Sequence, residues 1–435
     1  VATKTIRDAV HGDVDFTAEE LTVIDTETFQ RLRQIRQLGA AHLVYPSAVH
    51  TRFEHSLGTV GVARRMIAAI RRNCGRSVIA SEDERLVCLY ALVHDVTHIP
   101  FGHTLEDERR VFPRHDRNRG RIEHFLTRTD LADALERLGV RDALLRLLVE
   151  HRLEPGGPTF HYDIVAGTIC ADLLDYLERD SYFAGLSQRF DERIYKYFVI
   201  DDGALAINLV RAGLFRMDGL SEIVNLLRMR YVLSERVYYH PAKNAASAML
   251  SKALELCLAA PRSRLSERSL YELGDEGLLR LVAAGPAPAR HLARSYLARR
   301  LYKRAYMVSR RSVPSTERFA VYHLDPAARR QAEYRLARRL RVPFRSVIVY
   351  CPSASMQLRE ANALFRLEPD RPPRMLDGNR ELADLRRRQE GLWKFFVFLD
   401  PDHRDRLAEA GRLCAELFGP PNEILAPGEV PPGEC

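Results

Sequence analysis

The run Leu86–Val93, LVCLYALV, carries no charge, and it is followed at once by His94-Asp95 and then by His98, His103, Glu106 and Asp107. Such a run belongs in a core, and Pro100 biases Ile99 away from helix. The stretch therefore predicts a buried helix that delivers His94 and Asp95 at its C-terminal end. Imidazoles and carboxylates are costly to bury unless something pairs with them, and a bound metal cation is the strongest such partner. Neighbouring side chains on a helix diverge by about 100°, so His94 and Asp95 can share an ion only as adjacent corners of its shell. Further donors must come from distant sequence. Upstream candidates are His50 and His55 in AVHTRFEHSLG; downstream, CADLLDYLERDSYFAG places Asp172, Asp175 and Asp180 on the polar face of a helix. The spacing is not HExxH, because position 95 is Asp, so a zinc-protease reading lacks its general base.

Most of the chain reads helical, with apolar residues three and four apart, as in TVGVARRMIAAIRRN and ADALERLGVRDALLRLLVEHRL. Strand-like runs stand out only near the end, in RSVIVYCP and in LWKFFVFLD, which holds the single tryptophan, Trp393. The expected fold class is mainly α: an α-helical domain over residues 1–300 and a smaller α+β subdomain within 301–435, its folded part near 340–420. EPGGPTFH reads as a surface loop, AAGPAPARH as a connector and LAPGEVPPGEC as a frayed tail.

Composition narrows the partners. A net charge of +8 with arginine clusters in RLRQIRQ, RRLYKRAYMVSRR and RQAEYRLARRLRVPFR favours phosphate-bearing molecules, from nucleotides to nucleic acid, although solvated helix faces also use such clusters. The 7 cysteines are odd in number and scattered, with no CxxC, which argues against a disulfide framework and a cysteine zinc site. No apolar run reaches membrane-spanning length and VATKTIRDAVHG lacks a signal-peptide core, so the expectation is a soluble cytoplasmic protein without a membrane partner.

The segments IRDAVHG, DTETFQRLRQIRQLG, YPSAVHTRFEHSLG, LVHDVTHIPFGHTLED, DYLERDSYFAG and RVYYHPAKNAA resemble, in that order, the HD superfamily of metal-dependent phosphohydrolases. Within it they are similar to the deoxynucleoside triphosphate triphosphohydrolases, including the branch with a SAM domain ahead of its HD domain; only the HD part is matched, over about the first 250 residues. The resemblance implies that His55, His94, Asp95 and Asp172 ligate one divalent cation, of Mn, Fe, Zn or Mg type, with additional Mg accompanying the nucleotide. It implies His98 as the catalytic histidine, Glu106 as the carboxylate holding its tautomer, and His115 as another active-site histidine. Arg52, His103 and Arg230 would contact phosphates, Gln37, Tyr176 and Asp180 the deoxyribose, and Tyr238 the sugar face where a 2′-hydroxyl would sit. The implied reaction is hydrolysis of a dNTP to deoxynucleoside and inorganic triphosphate.

Leu173 and Tyr239 depart from that pattern, standing where a SAM-bearing relative has lysine and glutamine, which leaves nucleotide preference and cleavage position open. Relatives of this type assemble as tetramers around guanine nucleotides. The matching positions for a GTP or dGTP effector are Lys4, Asp25, Gln30 and Arg33, which makes a homo-oligomer, dimer or tetramer, the expected assembly. A second reading of Asp25 is a helix N-cap before Glu27 and Phe29, and Pro241 replaces a lysine of the neighbouring effector pocket. Two alternatives stand beside the triphosphohydrolase: an HD phosphohydrolase acting on other nucleotides or single-stranded nucleic acid, and a nucleotide-sensing scaffold with a structural metal site.

Overall fold

The computed structural model describes residues 3–424 except 262, 355, 357, 359–361, 369, 370 and 377; LAPGEVPPGEC, with Cys435, lies outside the described residues. The helix Arg52–Cys74 is the axis on which the site is built. Thr51 precedes it in extended conformation, and its backbone N–H donates to Glu54 Oε2 at 2.6 Å, satisfying a donor that the helix cannot. Phe53, Leu57, Val60, Ala63, Ile67 and Ile70 are buried along it at helical spacing. Against it pack Ser81–Val93 and Ala171–Phe183. The first of these opens on Glu82, Asp83 and Glu84, where the helix dipole favours negative charge, and buries every residue from Leu86 to Val93. It ends at Val93, so His94 caps it and Asp95 enters the following turn.

Fold class is mainly α with a small α+β part, as the periodicity predicts. Two details differ. The stretch ADALERLGVRDALLRLLVEHRL forms two helices, Asp130–Arg137 and Arg141–Glu150, because Gly139 takes φ 70 between them. Strands are not confined to the end of the chain. Thr3–Asp8 and Gly12–Thr17 form an antiparallel hairpin with Ile6 opposite Val14, and Phe198–Asp201 with Ala204–Asn208 forms another. These strands are short and turn through positive-φ residues, Gly12 in one and Asp202-Gly203 in the other, so alternation has little length in which to show.

Toward the C-terminus, Lys394–Leu399 is the middle strand of an antiparallel sheet, between Lys303–Ser309 and Val347–Tyr350. The arginine cluster RRLYKRAYMVSRR therefore contains a strand. Phe395, Val397 and Leu399 face a core shared with Leu336, Leu340 and Phe418 of the helices Pro326–Leu340 and Leu407–Phe418. Phe396 and Phe398 face Met249 and Leu250 of the helix Pro241–Leu258. A strand buried on both faces reads as one apolar run, which is why KFFVFL is so plain in the sequence. The short strand Phe365–Arg366 returns to pair in parallel with Ala204–Asn208. Among the described residues no helix is long and apolar enough to cross a membrane, and Cys74, Cys88, Cys170, Cys257, Cys351 and Cys414 form no disulfide.

Candidate metal centre and active-site cleft

His94 leaves the end of its helix with Nδ1 2.8 Å from the carbonyl oxygen of Ala91. His55, one turn into the Arg52–Cys74 helix, has Nδ1 2.7 Å from Asp175 Oδ2. Acceptors at both Nδ1 atoms fix the ring protons there and leave each Nε2 with its lone pair, and both Nε2 atoms are buried without a hydrogen bond. They face two carboxylates. His55 Nε2 lies 3.0 Å from Asp172 Oδ1 and 3.7 Å from Asp95 Oδ2, and His94 Nε2 lies 3.8 Å from Asp172 Oδ1 and 3.8 Å from Asp95 Oδ1. The 3.0 Å contact is electrostatic, its direction being unsuited to an N–H···O bond.

These carboxylates demand a positive partner. Arg52 pairs with Asp95 and the imidazoles must supply the rest: burial opposes a charge on His55, yet Asp172 and Asp175 outweigh it and push the ring up to about 10; Asp95 raises His94 against the same burial. Burial would raise Asp95, but Arg52, His98 and His94 hold it well below the ordinary carboxylate range. Two free imidazole lone pairs and two carboxylates in one small space fit a divalent cation, which supplies the missing charge directly. His55, His94 and Asp95 offer ligand atoms within 4.8 Å of one another, and the Asp172 side chain, 33% exposed, faces the open side.

Asp175 supports the centre from behind. It is fully buried, accepts from His11 Nε2 at 2.7 Å, and pairs with Arg179 at 2.8 Å, whose Nη2 also reaches Asp8 at 2.9 Å. The N-terminal hairpin thus closes the back of the site. Asp175 was visible in the sequence as part of the acidic face; His11 stands in the IRDAVHG segment, but its place behind the site comes only from the fold.

The other wall comes from the turn after His98. Phe101 and Gly102 take φ 59 and 44, folding His103 back toward His98, with ring centroids 5.0 Å apart. A Cβ at Gly102 would lie 2.9 Å from Arg52 Nη2 and 3.1 Å from His98 Nδ1. His98 is completely buried, its Nε2 is 3.2 Å from Asp95 Oδ1, and neither ring nitrogen has a hydrogen bond. Burial, with Arg52 and His115 beside it, holds its pKa well below the imidazole range. The His115 ring lies against it, the centroids 3.6 Å apart and the planes tilted by 33°. The expected partnership of Glu106 with His98 is not what forms. Glu106 Oε2 is 3.1 Å from His115 Nδ1, Oε1 accepts the His115 backbone N–H at 3.0 Å, and Arg121 pairs with the same carboxylate at 2.6 Å. The turn Thr104–Glu108 points Glu106 along the loop toward residue 115 and away from the helix end that carries His98. His103 is half exposed, 3.2 Å from Asp107.

Arg52 pairs with Asp95 and lines a cavity of about 230 Å³ together with Gln37, His94, Asp95, His103, His115, Asp172 and Tyr176. Gln37 Oε1 is buried there without a partner. Arg114, Asp116, His151 and Tyr162 share this lining. They are additions that one sequence does not single out. Beside Tyr176 and outside that lining, Tyr238 donates to Asp180 Oδ2 at 2.6 Å while His50 Nε2 lies 2.8 Å from Asp180 Oδ1. The Arg230 guanidinium sits 4.9 Å from the Tyr238 ring centre and 5.5 Å from that of Tyr176, so Tyr176, Asp180, Arg230 and Tyr238 form one cluster. Leu173 is buried in the core and is not among the residues lining the cavity.

The four effector positions are less convergent. Arg33 Nε donates to Gln30 Oε1 at 2.7 Å and its guanidinium lies 3.5 Å from the Phe53 ring centre. Lys4 is exposed on the first strand, opposite Phe16. Asp25 is exposed and ends the helix Ala18–Ile24; the N-cap of the next helix is Thr26, whose hydroxyl accepts the Phe29 N–H at 3.3 Å.

Residues 52–180 match the HD domain family and residues 212–419 the HD associated region. An uncharacterized protein of Methanocaldococcus jannaschii is 33% identical over 256 residues, 58% of this chain and 49% of that protein. The deoxynucleoside triphosphate triphosphohydrolase SAMHD1 of Homo sapiens is 28% identical over 277 residues, 58% of this chain and 44% of its own length. The SAMHD1 homolog of Dictyostelium discoideum is 27% identical over 324 residues, 69% and 60%. The chain spans about half the length of the curated relatives it matches. Among solved structures, a hypothetical protein from Aquifex aeolicus shares the fold, with TM-score 0.69 and 22% identity over 94% of this chain and 100% of that one. The buried His-Asp pair at the end of its helix lies inside the stretch that matches the HD domain, and the chain is similar there to the deoxynucleoside triphosphate triphosphohydrolases.

Proposed function

We propose that the protein is a metal-dependent phosphohydrolase that converts deoxynucleoside triphosphates to deoxynucleoside and inorganic triphosphate. The observation that carries this reading is the pair of buried, unbonded Nε2 atoms of His55 and His94 facing Asp95 and Asp172 at the edge of a polar cavity. His55, His94, Asp95 and Asp172 would hold the divalent ion, which supplies positive charge to the triphosphate oxygens and to a nucleophilic water when bound.

The chain's own residues do the rest. Arg52, His103 and Arg230 supply donors for phosphate oxygens, which must be neutralised before a nucleophile can approach the α-phosphorus. His98 has both nitrogens uncommitted, so it is the group free to pass a proton to or from the 5′ oxygen. Glu106 fixes the tautomer of His115, whose Nε2 then faces Asp95 at 3.8 Å. Asp180 keeps acceptor capacity for a 3′-hydroxyl after bonding Tyr238 and His50, with Gln37 and Tyr176 as further sugar contacts. Tyr238 packs where a 2′-hydroxyl would project. A guanine nucleotide acting at Lys4, Asp25, Gln30 and Arg33, in a homo-oligomer, is the proposed activator; the exposure of Lys4, Asp25 and Arg33 supports it.

One observation favours a second reading, a phosphohydrolase acting on other phosphate esters: Leu173, where a SAM-bearing relative has lysine, is buried in the core and contributes no cation to the cavity. Both readings are tested by incubating the protein with dNTPs and NTPs, with Mg or Mn, with and without GTP or dGTP, and scoring inorganic triphosphate. Intact triphosphate from dNTPs alone is the expected outcome. Release of orthophosphate or pyrophosphate instead would favour the second reading, and a flat result in every condition would overturn both.

A further inference from the structure

We infer that Glu333, on the Pro326–Leu340 helix, acts through Arg109 as a positioning residue for His115. The inference rests on the reading of the His98–His115 wall as the place where the phosphate ester is cleaved.

The loop from Glu106 to His115 lies within the matched HD domain but packs against the later chain, and Arg109 is its buried pivot, with no solvent exposure. Arg109 Nη1 donates to Glu333 Oε1 at 2.7 Å and to the Val349 carbonyl at 3.1 Å, while Nη2 donates to Glu255 Oε2 at 2.6 Å. The Arg109 carbonyl accepts from Arg329 at 2.7 Å. Glu333 is itself held by Lys252 at 3.0 Å and by the Val349 N–H at 2.9 Å. One residue earlier, Glu108 takes Lys243 at 2.7 Å.

None of these groups lines the cleft, so the network does not touch substrate. Nor is it an economical way to fill a core, since apolar side chains of similar volume are often at least as stabilising as buried ions. Direction is what it provides. A guanidinium is a planar fork, and three acceptors on three different elements leave it one orientation. With residue 109 fixed, the Thr104–Glu108 turn has one height from which Glu106 can receive both the Nδ1 and the backbone N–H of His115. The HD associated region would thus reach the catalytic wall through Arg109, beside the Lys243–Glu108 pair.

Two variants separate positioning from mere folding. Arg109→Lys keeps the charge and loses the fork; Glu333→Gln combined with Lys252→Met removes one charge of each sign, so neither is stranded. Both would be compared with the wild type by thermal unfolding, by nitrogen-15 spectra of the histidine rings, and by steady-state hydrolysis. The expected result is a folded protein whose His115 ring loses its Nδ1–H preference while His55 and His94 keep theirs. With it, kcat falls about tenfold or more and KM shifts less than about twofold. If the wild type releases no phosphate product from any nucleotide, the cleavage reading fails, and the ring spectra still decide the positioning claim. An unchanged His115 tautomer in folded variants would overturn it, and so would loss of the whole fold in both, because the network would then be structural alone.

Discussion

Asp175 Oδ2 lies 2.7 Å from His55 Nδ1, and that contact decides which nitrogen of His55 faces the two carboxylates. Asp175→Asn keeps the shape but offers a weaker acceptor that can flip its amide toward the ring. Metal affinity should fall about 10- to 100-fold, the usual loss when such a supporting group is changed. Titration of Mn into the stripped protein, followed by calorimetry, measures it; equal affinity in both proteins would remove Asp175 from the design.

Gly58 stands beside the same pair. A Cβ there would lie 2.0 Å from Asp175 Oδ1 and 2.2 Å from Arg179 Nη2, and neither fully buried group has room to retreat. Gly58→Ala should cost about 1–3 kcal/mol in urea unfolding, the range for overpacking, and should weaken metal binding alongside. A neutral substitution would mean that the helix Arg52–Cys74 shifts freely at this point.

Stripping the metal should lower thermal stability, because Asp172 then relies on the imidazoles for compensation and Asp95 on Arg52 and the imidazoles. An ion present at about 100 times its dissociation constant contributes about 2.7 kcal/mol, so a dialysed sample should recover its melting temperature when Mn or Mg returns. The same addition should do little for Asp95→Asn. Identical melting of stripped and loaded wild type would argue against an ion shared by these side chains.

Tyr238→Phe removes the hydroxyl that donates to Asp180 at 2.6 Å and leaves the ring in place. A charge-assisted bond of that kind is worth about 1.5–3 kcal/mol, so stability and kcat/KM should drop while discrimination against ribonucleotides persists. Tyr238→Ala removes the ring as well and should narrow the ratio of dNTP to NTP turnover. If the alanine variant keeps the wild-type ratio, sugar selection lies elsewhere in the cleft.

Asp275 gives a pH signature away from the metal. Burial pushes its carboxyl up to about 6, against the backbone N–H groups of Phe101 and Arg36 and the nearby Arg36 and Arg52 charges. Between pH 4 and 6 the folded protein then holds more protons on this group than the unfolded chain, so its contribution is fully present below the unfolded pKa and is lost as pH rises through about 6. A displacement of about 2 pKa units corresponds to roughly 3 kcal/mol. Relative to wild type, Asp275→Asn should therefore gain stability as pH rises from 4 to 7, by up to that amount. Parallel curves for the two proteins would show that Asp275 ionises normally.

The parts of this molecule that a reader of the sequence can place are those with local causes. The LVCLYALV helix and its end at Val93 follow from an apolar run and a nearby proline, and KFFVFL stands out because both its faces are covered. His55, His94, Asp95 and Asp172 do come together, from three segments. What stayed hidden depends on three-dimensional return. His11 backs the site only because a hairpin folds under it, and Glu106 turns to His115 because positive φ at Phe101 and Gly102 redirects the chain beyond His98. The early strands are too short to declare a period.

The parallel pairing of Phe365–Arg366 with Ala204–Asn208 joins residues separated by more than a third of the polypeptide. Any fragment that stops before residue 365 leaves the outer edge of that sheet bare, with amide and carbonyl groups open to whatever chain it next meets. Expression of the first half by itself is thus an invitation to aggregate, and limited proteolysis near Gly213 should yield two pieces that travel together on a sizing column until a denaturant parts them.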